Sequence, residues 1–416
     1  MDRKRVVITG LGVVAANGIG VEKFWDSLVH GRSGVGKITH FDASSYSSKI
    51  AGEVNDFDPL NYMDPKSARR MDRFCQFAVA CARMALDDAK IEVDQNNSDK
   101  IGIAIGSALG GIPTAEQQHS IFLEKGLKRT DPLLATKLFL GASTSQVSIE
   151  FNIKGHSNTI AGACSTGTDS IGYAFYAIKN NLADVMITGG AEAPLAPLTF
   201  GAFCLMGALS TKNGDPTRAS RPFDKERDGF VMSEGAGVLI LEELKSALER
   251  GASIYAEVLG YGTTNDAYSM YHPLPTGEEG KKAIQVALKT ANLSPQDIDY
   301  ISAHGSSTPL NDKMETMIAK MVFGEYAYRV PISSIKSMIG HAMGAAGSIE
   351  AIASVLSIKN QFIPPTINYE FKDPECDLDY VPNKGRKAMV SAVLSNSYGF
   401  GGKNSSLIIR NFEDLE

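Results

Sequence analysis

Asn158-Thr159-Ile160-Ala161-Gly162-Ala163-Cys164-Ser165-Thr166-Gly167 runs from strand-forming residues into small ones, reaches a cysteine, and gives way to a helix-compatible stretch from Thr168 to Ala177. The pattern predicts a strand over 158–161, a sharp turn that small neighbours permit, and a thiol at a helix N-terminus. The positive end of the helix dipole favours a thiolate there, lowering the thiol pKa from about 8.5. One reading is a nucleophile on an elbow; the other is a buried structural cysteine.

Outward from this stretch, short apolar β-branched runs alternate with longer helical ones, which is the pattern of α/β architecture with buried strands. The first-half strands are expected at Val6 to Gly10, Ile101 to Gly106, Asn158 to Ala161, Ala183 to Gly189 and Gly237 to Glu242, with a helix at Phe74 to Ala89. From Ile254 the plan repeats, with strands at Ile254 to Tyr261, Asp299 to Ala303, Val330 to Ser334, Met389 to Ser395 and Ser405 to Arg410. Two similar halves are expected, 1–250 with the cysteine and cap loops, and 251–416. A faint echo accompanies them: Ser170-Ile171 leads to Ile178-Lys179-Asn180, as Ser348-Ile349 leads to Ile358-Lys359-Asn360. No Pro-rich or Gly/Ser-rich linker divides the halves, so one continuous core is expected. The turn-rich segment Phe200 to Asp228 reads as a long loop or cap.

Two histidines in the second half sit at strand exits, where α/β sheets build their sites: Ala303-His304-Gly305-Ser306-Ser307-Thr308 and Ile339-Gly340-His341-Ala342. A lone glycine-flanked histidine is more often structural; two of them with a cysteine elbow shift the balance. Cys164, His304 and His341 lack ligand spacing and a companion carboxylate, so no metal site is expected. A Cys-His-Asp hydrolase would leave the second histidine without a task. Two neutral imidazoles donating to one oxygen suit an enolate. The segment Ser397-Tyr398-Gly399-Phe400-Gly401-Gly402-Lys403 between two strands allows close backbone approach.

The bulk composition narrows the class. The 416 residues are 43% hydrophobic and 21% charged, as in ordinary globular chains, and exceed the usual size of one core. A net charge of -6 provides no global attraction to nucleic acid or anionic membrane. Five cysteines without a Cys-x-x-Cys pair, and an N-terminus that enters a strand within a few residues, point to a reducing cytoplasm. Gly10-x-Gly12-x-x-Ala15 matches a dinucleotide fingerprint superficially, but no helix starts at its glycines and no strand ends in an acid about 20 residues on.

These motifs together resemble the β-ketoacyl-acyl carrier protein synthases, KAS II-like condensing enzymes of the thiolase-fold superfamily. The likeness extends to Arg5-Val6-Val7-Ile8-Thr9-Gly10, Ala219-Ser220-Arg221-Pro222-Phe223-Asp224 and Asp228-Gly229-Phe230-Val231-Met232. It implies a thiolase-like fold, two pseudo-duplicated halves in a layered αβαβα body. It further implies that Cys164 carries the acyl group, His304 and His341 hold an enolate from malonyl thioester, and the amides of Cys164 and Phe400 hold the oxyanion. Phe400 matches the family's gate, Lys336 and Glu350 its ion pair behind the histidines, and Ser306 and Thr308 positions along the pantetheine arm. Lys66, Arg69 and Arg70 match a basic patch that meets acyl carrier protein, although a charge run alone is more often a solvated face. No diffusible cofactor is implied, since phosphopantetheine belongs to the carrier protein.

Within the family, Ser165, Ser306, Lys403 and Ser269 depart from the common fatty-acid pattern. Asp169 to Ala174 and Ser333 to His341 look more like the α ketosynthase subunit of type II polyketide synthases. That branch implies a heterodimer with a chain-length-factor subunit; fatty-acid elongation implies a homodimer. A non-catalytic chain-length factor would lack Cys164, and a degradative thiolase would carry a second cysteine near Gly399 to Gly402.

Overall fold

The ten residues Val6–Ala15 form a fully buried central strand, β1. Its Gly10 and Gly12 are where helix Arg73–Ala89 crosses: a Cβ on either would run into the Ala85 or Cys81 carbonyl oxygen. The glycines of the apparent dinucleotide fingerprint therefore serve helix-on-strand packing inside a strand. This is a computed structural model, and it describes residues 4–413.

Among the described residues, four more strands continue the main path of the sheet in the first half, β2 (Ile101–Gly106), β3 (Ser157–Asn158), β4 (Val185–Glu192) and β5 (Gly235–Glu243), with the short strand Gly18–Ile19 paired to β1 off that path. The second half contributes β6 (Ala256–Asn265), β7 (Tyr300–Ser302), β8 (Ile332–Ser333), β9 (Ala392–Gly399) and β10 (Lys403–Arg410). They join in the order β8-β7-β9-β10-β6-β1-β5-β4-β2-β3. Counted outward from the β1/β6 seam, the two sides carry the same sequence of strands with the same parallel and antiparallel pairings. The duplication expected from a weak repeat is thus a property of the topology.

The helices that frame the sheet and the cavity are α1 (Val21–Val29), α2 (Pro65–Arg70), α3 (Arg73–Ala89), α4 (Ile112–Lys125), α5 (Thr166–Lys179), α6 (Pro197–Leu205), α7 (Glu278–Ala291), α8 (Pro309–Phe323) and α9 (Ala346–Asn360). Helix α3 covers the outer face of one half and α7 that of the other, while α5 and α9 pack against each other between them, giving five layers. The repeated Ser-Ile and Ile-Lys-Asn segments fall on α5 and α9. One apolar cluster runs through both halves, from Val6 and Ile171 to Ile349 and Ile409. No helix of the described residues is long and apolar enough to cross a membrane.

Three local expectations need correction. The strand at 158–161 is limited to β3, because the Thr159 amide turns to Asn158 Oδ1 and the Gly162 amide to Thr166 Oγ1 instead of a neighbouring strand. The segment read as a loop from Phe200 begins inside α6, which Pro197 starts and a fully buried Phe200 anchors. The last pair of strands starts at Ala392, later than Met389, and extends to Gly399, which brings Phe400 to the hairpin tip.

Candidate active site

Cys164 occupies a one-turn 3-10 segment, Ala163–Ser165, that feeds directly into α5. Ala163 has φ +50°, a left-handed conformation that a small side chain tolerates best, so the elbow carries real backbone strain. Burial pushes the Cys164 thiol up to about 11, against the pull of the Lys336 charge and of a hydrogen bond from the Phe400 amide. Burial thus works against the acidification expected from the helix terminus, because desolvation disfavours the thiolate.

His341 is held by its own backbone: its amide donates to the Val231 carbonyl at 2.7 Å, and its carbonyl accepts from the Ser233 amide at 3.0 Å. Its ring Nδ1 accepts the Met343 amide at 3.3 Å, which leaves the proton on Nε2. His304 is clamped differently. Its amide and that of Gly305 both donate to the carboxylate of Glu315 on α8, each at 2.8 Å. Its Nδ1 lies 3.4 Å from the Lys336 ammonium, and a group with donors alone makes that nitrogen the acceptor. Both imidazoles thus carry a proton on Nε2.

The two rings stand nearly perpendicular with centroids 5.2 Å apart. Burial lowers both pKa values well below 6.5, with Lys336 adding to the effect on each and His341 on His304. The rings are neutral donors. Lys336 also donates to the His304 carbonyl at 2.7 Å and pairs with Glu350, both side chains being buried. Burial raises the Glu350 carboxyl and Lys336 opposes it.

Cys164, His304, His341 and Phe400 line one cavity of about 340 Å³, and Ser306 and Thr308 lie along its wall with their hydroxyls 3.0 Å apart. Phe400 stacks on Phe203, with ring centroids 6.2 Å apart and 13° between planes. Lys66, Arg69 and Arg70 are exposed on α2 and are not among the cavity's lining residues, whereas Arg73 turns inward to grip Glu234 with two hydrogen bonds of 2.8 Å.

Several lining residues carry no assignment from sequence. Phe230 stands edge-on to His341 at 5.3 Å, Tyr398 edge-on to His304 at 6.0 Å, and Met206, Tyr271, His272 and Met343 complete the walls. The signals for the first two are their places in the chain: Phe230 lies in the 228–232 motif, and Tyr398 sits two residues before Phe400. Glu315 gives no signal, since its role depends on α8 folding back beneath His304.

Comparisons with known proteins identify the family. Residues 3–247 match the description "Beta-ketoacyl synthase, N-terminal domain", and residues 255–370 match "Beta-ketoacyl synthase, C-terminal domain". A 3-oxoacyl-[acyl-carrier-protein] synthase 2 from Synechocystis is 47% identical over 413 residues, covering 99% of both chains. Among solved structures, the ishigamide ketosynthase/chain length factor has a TM-score of 0.92 at 38% identity, covering 99% of this chain and 100% of that one. A type II polyketide acyl-carrier protein in complex with its ketosynthase, bound to the hexaketide, has a TM-score of 0.90 at 38% identity, with the same coverage.

Proposed function

Because this chain belongs to the β-ketoacyl synthase family and is a condensing acyltransferase, we propose that it joins a Cys164-bound acyl group to malonyl thioester in two half-reactions. In the first, the Cys164 sulfur attacks the carrier thioester. A new carbon–sulfur bond forms, the old one breaks, and the carrier thiol leaves with the proton that Cys164 gives up. In the second, malonyl thioester loses carbon dioxide, and the electron pair of the broken carbon–carbon bond becomes an enolate. The Nε2–H groups of His304 and His341 hold the enolate oxygen. The enolate carbon then attacks the Cys164 thioester, its carbon–sulfur bond breaks to give a β-ketoacyl carrier product, and the expelled Cys164 thiolate takes a proton from solvent to return as the thiol.

The tetrahedral oxyanion rests on the Cys164 and Phe400 amides; one such donor is worth about 3 kcal/mol. The observation that carries the reading is the pair of buried, neutral imidazoles, both protonated on Nε2, sharing a cavity with the elbow cysteine. Lys336 and Glu350 hold His304 in place, Ser306 and Thr308 receive the pantetheine arm that the carrier supplies, and Phe400 gates the acyl pocket. The exposed cations Lys66, Arg69 and Arg70 on α2 dock the carrier. The halves 1–250 and 251–416 act as one body.

A second subunit completes the enzyme. Leu123, Leu127, Leu198 and Leu205 are exposed, Leu205 by 92%, on α4, the turn after it and α6. These leucines support a partner-facing surface on the side of the molecule carrying α4 and α6, and both readings below call for a partner of this same fold. Two readings divide its identity. The curated relatives, named 3-oxoacyl-[acyl-carrier-protein] synthase 2 at 47% identity, favour the fatty-acid reading, for which a homodimer is expected; Ser165, Asp169 and the run 333–341 favour iterative polyketide elongation beside a chain-length factor. Condensation assayed with the chain alone and with candidate partner subunits separates them: activity alone supports the first, and poly-β-keto product with a partner supports the second. Cys164-independent condensation in either preparation contradicts both. The compartment is the reducing cytoplasm.

A further inference from the structure

Directly beneath the Cys164 elbow, one carboxylate gathers three hydroxyls from three separate elements. Asp169, in the first turn of α5, accepts Ser165 Oγ on Oδ2 at 2.8 Å, Tyr261 OH of β6 on Oδ1 at 2.8 Å, and Ser405 Oγ of β10 on Oδ1. Its neighbour Thr168 shares a 2.8 Å hydrogen bond with Ser397 of β9. Ser397 and Ser405 face each other across the β9–β10 hairpin. Two consecutive residues of α5 therefore grip both strands of that hairpin at a single rung, three residues before Phe400.

The other side of the grip is the nucleophile turn. Ser165 follows Cys164, and its hydroxyl lies 2.7 Å from the Gly162 carbonyl as well as within reach of Asp169. The gap between turn and hairpin has little slack: a Cβ added to Gly399 would sit 3.1 Å from the Cys164 nitrogen and 3.2 Å from the Gly162 oxygen.

We propose that Asp169 is a positioning residue for condensation, its carboxylate holding the Cys164 turn and the Phe400 hairpin at the one separation that lets their two backbone amides meet the same oxygen. This rests on the reading of those amides as the oxyanion site. Such a site needs donors about 2.7–3.1 Å from the oxyanion, and a misplacement of about 1 Å costs on the order of 10²-fold in rate. The carboxylate suits the task because all three partners can donate to it. An asparagine would keep most of the arrangement, its oxygen accepting from Tyr261 and Ser405 and its amide donating to Ser165, which passes its own proton to the Gly162 carbonyl. An alanine keeps none of it.

The test compares half-reactions in wild type, Asp169→Ala, Asp169→Asn, Ser405→Ala and Cys164→Ala. Acyl transfer from acyl carrier protein is followed by intact mass, and carbon dioxide release from malonyl carrier protein is followed separately. Acylation needs the amide pair; decarboxylation needs the histidine pair, which Asp169 does not touch. The expected result is a fall in acylation of about 10²-fold in Asp169→Ala, a far smaller fall in decarboxylation, and recovery of most acylation in Asp169→Asn. Wild-type acylation in Asp169→Ala, or equal losses in both half-reactions by a folded variant, would overturn the proposal. Should Asp169→Ala not fold, Ser405→Ala reports alone: slowed acylation supports the proposal and wild-type acylation overturns it. Absence of Cys164-dependent acylation in the wild type would overturn the underlying active-site reading itself.

Discussion

Lys336 can offer His304 nothing but protons: its ammonium lies 3.4 Å from the ring Nδ1 and 2.7 Å from the carbonyl oxygen of the same residue. The lysine thereby fixes both the tautomer and the backbone of His304, while Glu350 neutralises it out of contact with water. Replacing Lys336 with Met leaves the buried Glu350 unpaired and should cost about 3–5 kcal/mol of stability. The double replacement Lys336→Met/Glu350→Met should recover most of that stability without recovering decarboxylation. Denaturant unfolding and carbon dioxide release read the two effects separately. Recovery of both would reduce the lysine to a structural role.

The histidine pair makes a prediction about acid. Both rings have pKa values lowered well below 6.5 by burial and Lys336, so the neutral forms persist as pH falls through 6.5. Decarboxylation of malonyl carrier protein, measured from pH 8 down to the limit of folding, should show no acid limb centred near 6.5. An ordinary histidine titration in that profile would contradict the buried-donor assignment. Truncating either ring to Ala should lower decarboxylation by roughly 10²–10³-fold, the effect of removing one oxyanion donor, and leave acylation much less affected.

For Cys164 the sign is opposite. Burial raises its thiol to about 11, so the thiolate fraction grows as pH rises toward that value. Alkylation of Cys164 by iodoacetamide should accelerate through pH 7 to 9 without levelling off, by up to about tenfold per unit. A plateau below pH 8 would mean that the helix terminus and the Phe400 amide prevail over desolvation.

Much of this site is legible in the amino-acid sequence alone. Cys164, His304 and His341 announce themselves because reactive side chains at strand exits need small neighbours, and Gly162, Gly305 and Gly340 stand beside or near them with the last two at positive φ. The alternation of strands and helices, and even the echo between α5 and α9, carries the layered fold. Whatever depends on segments far apart in the chain stays hidden. Asp169 meets Tyr261 and Ser405, 92 and 236 residues along the chain, only in the fold, and Glu315, though 11 residues from His304, reaches its amide only because α8 folds back beneath it. The desolvation that opposes the helix terminus at Cys164 is hidden for the same reason, since a helix terminus is visible in sequence and burial is not.

The α2 cations give a prediction separable from chemistry. Reversing Lys66, Arg69 and Arg70 to Glu should raise the KM for carrier-bound substrate by about tenfold or more at low salt, with the difference shrinking as ionic strength rises. Turnover of a small thioester analogue should not change. An equal effect on both substrates would remove α2 from carrier recognition. Arg73 is a poor member of such a set, because it belongs to the buried Glu234 and its reversal would damage the fold.

In the proposed reaction one sulfur carries the growing chain between two half-reactions. Its most direct test is a chase experiment: load the enzyme with acyl carrier protein, map the added mass by peptide analysis, then add malonyl carrier protein and follow that mass. The expected result is a single acyl group on Cys164, absent from Cys164→Ala, that disappears as carbon dioxide and β-ketoacyl carrier product appear in equal amounts. Label on another residue, or product formed while the Cys164 label stays in place, would contradict it.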